Sequence, residues 1–82
     1  MPDVSAARLR DLAAEVFDLR PEEVTEGASF YEDLGVDSLQ KVELVVRMER
    51  LCGVRLTDEE AAGMRTLGDV YVALKAKGVH IG

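Results

Sequence analysis

The stretch "LGVDSLQKVELVVRMERLCG" (residues 34–53) combines a helix start, a helical pattern and a helix stop. Asp37 is a good N-cap residue, and Gln40 stands at the third helical position, where it completes a capping-box-like pair. Gly53 suits the left-handed position that follows the end of a helix. The stretch therefore predicts a helix over residues 38–52 with a serine at its first position.

On a helical wheel at about 100° per residue, this helix divides into three faces. A core arc holds large apolar side chains, namely Leu44, Val45, Met48, Leu51 and Cys52. Lys41 falls within the same arc, and we expect its stem to lie on the core while its amine stays in water. A solvated face carries Gln40, Glu43, Arg47 and Arg50.

The third face of this helix is apolar, although it lies away from the core arc. It consists of Leu39, Val42 and Val46, close to Ser38. In a small acidic protein such a patch either packs beneath the preceding loop or is offered to a partner. The sequence leaves both possibilities open.

Apolar spacing and capping residues predict three further helices. A first helix over residues 5–17 is indicated by a stripe at i, i+3, i+4, i+7 and i+8 that comprises Leu9, Leu12, Ala13, Val16 and Phe17. Capping boxes that begin at Thr57 and Thr66 predict a short helix near residues 58–63 and a fourth helix after it. The fourth carries a further apolar stripe of Leu67, Val70, Tyr71 and Leu74.

The segment between the first two helices, residues 18–36, has no sustained period. Pro21 ends the first helix, and a short turn is expected at residues 21–24. Apolar anchors along the segment indicate a long ordered loop, and they are Val24, Phe30, Leu34 and Val36.

These elements predict an all-α fold, in which three main helices and a short third helix form a small four-helix bundle. A long loop connects helices one and two, and no strand pattern is present. We expect a single domain over residues 1–82, with frayed ends at residues 1–4 and 78–82.

The composition narrows the classes of function. A chain of 82 residues has room for one core and no deep active-site cleft. Its 16 acidic and 10 basic residues give a net charge of −6, which argues against nucleic-acid binding and against a basic membrane-surface helix. There is no membrane-spanning run, signal-peptide pattern or metal-ligand spacing, and the lone Cys52 cannot form an internal disulfide. We therefore expect a cytoplasmic protein with protein partners and no metal site.

Ser38 allows two interpretations. It is either the first residue of a capped helix and nothing more, or the site of an attached group. A phosphate ester would suit this position, because free backbone N–H groups and the positive end of the helix dipole stabilise an anion there. A catalytic serine needs a general base, and the only histidine, His80, lies in the C-terminal tail. We therefore expect no enzyme active site at Ser38.

The residues around Ser38 resemble the signature of the acyl carrier proteins, which is Asp-Ser-Leu at the start of the second helix after a Leu-Gly turn. The chain reads "DLGVDSL" over residues 33–39 and "VEL" over residues 42–44, with "ASFYEDLG" upstream and "TDEEA" downstream. The resemblance covers nearly the whole chain and implies a free-standing phosphopantetheine-binding carrier, not an enzyme. It implies that a phosphopantetheinyl transferase attaches 4′-phosphopantetheine from coenzyme A to Ser38, which is flanked by Asp37 and Leu39. Acyl intermediates would be held as thioesters on the arm.

The resemblance also implies two further sets of site residues. Partner enzymes would dock around the second helix, on Leu39, Val42, Glu43, Val46, Arg47 and Arg50. An acyl chain would be sheltered between the helices by Phe30, Leu44, Met48, Ala61, Met64 and Leu67, although each of these residues also suits an ordinary core. The implied partners are a ketosynthase, an acyltransferase or acyl-activating ligase, and other enzymes of polyketide or fatty-acid-type synthesis. The carrier itself is expected to be a monomer.

The charge distribution departs from the usual family pattern, in which the second helix is acidic. Here the helix and its cap are formally neutral, because three acidic residues offset three basic ones: Asp37, Glu43, Glu49, Lys41, Arg47 and Arg50. The acidic excess lies instead over residues 22–33 and 58–60. We expect the electrostatic part of docking to shift toward the loop and the third helix, or the partners to present mixed charge.

The sequence leaves two alternative functions open. A peptidyl or aminoacyl carrier of a nonribosomal peptide pathway would share the fold and the modified serine. That branch usually shows Gly-Gly-His/Asp-Ser, whereas this chain has Gly-Val-Asp-Ser over residues 35–38. An unmodified helical interaction module would use the third face to bind another helix.

Overall fold

The computed structural model describes residues 3–82, which form four α-helices. The helices are α1 (Ala6–Phe17), α2 (Ser38–Cys52), α3 (Asp58–Ala62) and α4 (Leu67–Ala76). A 3₁₀ turn at Pro21–Glu23 lies in the long connection between α1 and α2. The expected all-α bundle, with its short third helix and long first loop, is confirmed.

Each helix begins where a side chain caps its free N–H groups. Ser5 caps α1 by accepting a hydrogen bond from the Arg8 N–H at 2.9 Å. Reciprocal capping boxes start the other three helices, at Asp37, Thr57 and Thr66. These caps explain why the starts of the helices were predictable from local sequence.

One apolar core joins the helices and the long loop. From α2 it receives Leu44, Met48 and Cys52, and burial raises the pKa of the Cys52 thiol. The predicted core arc was too wide, because Leu51 is 39% exposed and Val45 is only partly buried. On the wheel these two residues stand at opposite edges of the arc, where a helix side chain reaches solvent.

The two ends of the described chain form a small parallel ribbon of two strands. Strand β1 (Asp3–Val4) pairs with β2 (His80–Ile81), so that Asp3 is opposite His80. Backbone bonds close the ribbon, since the Ala6 N–H donates to the Gly82 carbonyl at 2.9 Å. The expectation of frayed ends is therefore wrong for residues 3, 4 and 78–82, and Met1 and Pro2 lie outside the described residues.

The long loop is held by buried apolar anchors, as expected. Val24 and Phe30 are fully buried and Val36 nearly so. The ring of Phe30 packs edge-on against that of Phe17, with 5.2 Å between the centroids. The Phe30 N–H donates to the carbonyl of Arg65 at 2.8 Å, so the loop is fixed to both α1 and the segment before α4.

Helix α3 is short, and polar contacts fix both of its ends. Before α3, the Leu56 N–H donates to Oε2 of Glu49 on α2 at 2.7 Å. At its other side, Glu60 forms an ion pair of 2.8 Å with Lys77, which lies just past the end of α4. The first contact holds the segment before α3 to α2, and the second holds α3 to the end of α4. No helix within residues 3–82 is long and apolar enough to cross a membrane.

Replacing Phe30 by alanine tests the anchoring of the loop. We expect Phe30→Ala to lower the free energy of unfolding by about 3–5 kcal/mol, because it removes a fully buried ring and leaves a cavity. Urea denaturation followed by circular dichroism measures this loss. Tyr31→Ala is the matched control, since Tyr31 is 45% exposed, and its loss should stay at about 1 kcal/mol or less. Equal losses in the two variants would show that the loop is not anchored at Phe30.

Candidate functional site

Ser38 occupies the first position of α2 and is exposed. The capping box next to it is complete, because Asp37 Oδ1 accepts from the Gln40 N–H at 2.8 Å and Gln40 Oε1 accepts from the Asp37 N–H at 3.0 Å. No hydrogen bond among residues 3–82 uses the Ser38 hydroxyl. The hydrogen bonds that cap the start of α2 thus do not involve the Ser38 side chain. Its hydroxyl is available for covalent attachment.

The backbone around Ser38 suits a negatively charged group. The N–H groups of Ser38 and Leu39 donate to no acceptor in the described part of the chain, as expected for the first turn of a helix. They stand at the positive end of the α2 dipole, which stabilises an anion. A phosphate ester on Ser38 Oγ therefore fits the site.

A groove of about 390 Å³ opens beside Ser38, between α2 and α3. Its apolar lining is Val42, Val45, Val46, Leu56, Ala61 and Ala62. Its polar lining is Tyr31, Ser38, Lys41, Glu49 and Asp58. His80, the one histidine of the sequence, is on β2 and is not part of this lining.

The predicted acyl-chain residues are only partly associated with this groove. Ala61 lines it, and Met64 lines a second, shallower groove between α3 and α4. The remaining four are fully buried in the core and line neither groove: Phe30, Leu44, Met48 and Leu67. A role in sheltering an acyl chain stays a prediction for these residues. Val45, Leu56 and Ala62 line the groove but were not predictable as site residues, because the side of α2 that meets α3 is a tertiary feature.

Lys41 is the one buried charged residue between residues 3 and 82, with 5% of its surface exposed. Its Nζ donates to the Ala61 carbonyl of α3 at 2.9 Å and stands 5.5 Å from the centroid of the Tyr31 ring. The expectation that the amine stays in water is therefore wrong. The last carbonyls of a helix lack intrahelical donors, and the short α3 presents one of them to the amine. Burial lowers the pKa of Lys41, and the charge of Asp69 opposes this shift.

The apolar third face of α2 is open to solvent and does not pack beneath the loop. Leu39 is 80% exposed, Val42 58% and Val46 39%. On the solvated face, Glu43 and Arg47 form an ion pair at 3.4 Å, and Arg47 also reaches Glu15 of α1 at 3.4 Å. Arg47 thus ties α2 to α1.

Comparison with known proteins now places the chain. The family model described as "Phosphopantetheine attachment site" matches residues 7–74. The chain is also 46% identical over 70 residues to polyketide-8 synthase acyl carrier protein 2 of Streptomyces avermitilis, covering 85% of this chain and 80% of that protein. The chain belongs to the acyl carrier protein family. The resemblance read from the sequence is confirmed.

One further relative agrees with this assignment, and one solved structure agrees with the fold. An acyl carrier protein of Rhodococcus erythropolis is 45% identical over 77 residues, which cover 90% of this chain and 85% of the relative. A solved acyl carrier protein from Enterococcus faecalis superimposes with a TM-score of 0.73 at 24% identity, over 87% of this chain and 90% of that one. At that identity the structural match supports the fold alone.

Family membership fixes the cofactor and the general partners of this carrier. The cofactor is covalently attached 4′-phosphopantetheine, which supplies a thiol that holds acyl groups. The partners are a phosphopantetheinyl transferase and synthase enzymes.

The buried amine of Lys41 predicts a pH-dependent stability. Between the lowered pKa in the folded state and its ordinary value of 10.5, the unfolded chain binds more protons, so wild-type stability rises with pH. Lys41→Met lacks this titration. We expect the free energy of unfolding of Lys41→Met, relative to wild type, to be higher at pH 7 than at pH 10 in urea denaturation.

Lys75→Met is the matched control, because it removes the same charge from an exposed position on α4. Its stability relative to wild type should be similar at both pH values. A relative stability of Lys41→Met that is constant or increases with pH would contradict the burial of a charged amine.

Proposed function

We propose that Ser38 Oγ is the attachment atom for 4′-phosphopantetheine in this carrier. The observation that carries the proposal is an exposed hydroxyl at the capped start of α2, with no hydrogen-bond partner among residues 3–82. Attachment forms a phosphoester bond at Ser38 Oγ, breaks the pyrophosphate bond of coenzyme A and releases adenosine 3′,5′-bisphosphate and the serine proton.

The role of the chain's own residues is to position the modified serine. Asp37 and Gln40 cap the helix, so the backbone at Ser38 keeps its helical conformation. The N–H groups of Ser38 and Leu39 face an anion at Oγ without losing another acceptor. We assign the chain a carrier role and leave catalysis to the docked enzymes.

The docking surface we propose is the exposed apolar face of α2, formed by Leu39, Val42 and Val46. It lies next to Ser38, and its small area suits docking that is specific yet brief. Glu43 and Arg50 are exposed beside it, whereas Arg47 is engaged by Glu15 and Glu43. We therefore give Arg47 a smaller part in docking than Arg50.

The pathway we propose is polyketide or fatty-acid-type synthesis in the cytoplasm. One relative is named as a polyketide synthase carrier and another, from Mycolicibacterium aurum, as a meromycolate extension acyl carrier protein. The second is 47% identical over 69 residues, which cover 84% of this chain and 71% of that protein. On this basis a ketosynthase and an acyltransferase or acyl-activating ligase are the proposed partners of a monomeric carrier.

Intact mass spectrometry tests the attachment site. The wild type, incubated with coenzyme A, magnesium and a broad-specificity phosphopantetheinyl transferase, should gain the mass of one phosphopantetheine. Ser38→Ala should gain nothing. Ser29→Ala, which keeps Ser38, is the matched control and should be modified like the wild type.

Circular dichroism establishes that each variant is folded before the masses are compared. If folded wild-type protein gains no mass, Ser38 is a helix-start residue only, and the chain is an unmodified interaction module. A mass gain in folded Ser38→Ala would place the attachment on another residue.

A charge placed on the third face tests the docking surface. We expect Val42→Asp to lower kcat/KM of the transferase for the carrier by roughly tenfold, because a buried interface contact is replaced by a desolvated carboxylate. Val72→Asp is the matched control, since Val72 is 69% exposed on α4, and its kcat/KM should stay near the wild-type value. Equal effects of the two variants would remove the third face from the docking surface.

A further inference from the structure

Lys41 places its ammonium group in the wall of the groove beside Ser38, where protein acceptors use only part of its hydrogen-bonding capacity. Ser38 and Lys41 are three residues apart on α2, so they share one side of the helix. Both line the groove, as do Ala61 and Tyr31, the two residues that contact the amine. The ammonium group is therefore part of the groove wall, and it is not in bulk solvent.

The donors of this ammonium group exceed the acceptors around it. Lys41 Nζ carries three N–H donors, and in the described part of the chain one carbonyl, that of Ala61, accepts from it. The Tyr31 ring faces the charge but offers only its π-face. No ion pair among residues 3–82 includes Lys41. A ligand oxygen in the groove would give the remaining N–H donors an acceptor, and hydrogen bonds to a charged donor are stronger than those between neutral groups.

Among residues 3–82, none of the other polar side chains that line the groove accepts a hydrogen bond from Lys41, and these are Tyr31, Ser38, Glu49 and Asp58. Glu49, which also lines it, accepts from the Leu56 N–H at 2.7 Å. The rest of the lining is mainly apolar, and its volume of about 390 Å³ lies within the range of small-molecule pockets. An apolar groove with one buried donor group fits an acyl chain that carries an oxygen along its length.

We propose that Lys41 makes this groove selective for acyl groups that bear a keto or hydroxyl oxygen beyond the thioester carbonyl, over saturated acyl groups of equal length. The proposal rests on the attachment of the arm at Ser38. Lys41 is a specificity-determining residue in this role, and it takes no part in bond formation. The phosphodiester is a less suitable partner for the amine, since the amine is engaged on α3 while the N–H groups of Ser38 and Leu39 are free at the attachment atom.

The test loads the full chain with stable analogues of the arm. The transferase attaches the arm from coenzyme A itself and from its octanoyl and β-keto-octanoyl analogues, in which an amide replaces the thioester. Intact mass first verifies that each sample is loaded. Nuclear magnetic resonance then follows the side-chain signals of Lys41 against pH. We expect the β-keto analogue to raise the pKa of Lys41 above that of the unacylated form, and the octanoyl analogue not to raise it.

A second readout measures how well the groove protects a true thioester. Attack by free cysteamine on the β-keto-octanoyl thioester should be about tenfold faster in Lys41→Met than in the wild type, the effect of one lost hydrogen bond to a charged donor. The octanoyl thioester should react at similar rates in both proteins. Lys75→Met, the matched control, should behave as the wild type with either cargo.

The outcomes separate this proposal from the attachment at Ser38. Failure to load overturns the attachment at Ser38, and with it the proposal. Loading followed by identical behaviour of wild type and Lys41→Met overturns the selectivity alone. The pKa of Lys41 could also rise on attachment of the unacylated arm and not change further on acylation. That result would show that the amine interacts with the arm itself, and it would also overturn the selectivity.

Discussion

The burial of Phe30 is the constraint on which the presentation of Ser38 depends. Its ring packs on Phe17 of α1, and its N–H bonds to Arg65 ahead of α4. Its carbonyl accepts from the Val36 N–H at 2.8 Å, one residue before the Asp37 cap. The start of α2 is thus fixed relative to two other helices through a single buried residue. An exposed serine on a fixed backbone is what a modifying enzyme requires, because only the side chain is left to be positioned.

Local chemistry made α2 predictable to the residue, since its cap, period and stop all lie within residues 34–53. The paired ends were not predictable in this way. A strand of two residues has no period to detect, and β1 and β2 meet only after the helices have packed. The same limit explains why the exposure of Leu51 was not predicted. A helical wheel gives the direction of a side chain but not the position of the neighbouring helix.

The site shows the same division between local and tertiary information. The sequence placed Lys41 within the core arc correctly, but its acceptor is a carbonyl 20 residues later, and no local pattern indicates such a partner. Of the predicted acyl-chain residues, Ala61 lines the groove whereas Leu44 and Met48 are buried in the core, and the sequence could not separate them for a related reason. Core residues and groove residues are both apolar, and only the packing of α3 on α2 decides that Val45 and Ala61 border open space while Leu44 does not.

The ion pairs also determine which charges on and around α2 are free to interact with a docking enzyme. Arg47 is neutralised by Glu15 and Glu43, so the side of α2 toward α1 carries compensated charge. On the other side, α3 opens with three acidic residues, of which Glu60 alone forms an ion pair within residues 3–82, with Lys77. Asp58 forms no ion pair in the described part of the chain, and it lines the groove together with Val42 and Val46 of the third face. Under the proposed docking, a partner gains most from basic groups placed over α3, which orients it across the groove that leads from Ser38 to Lys41.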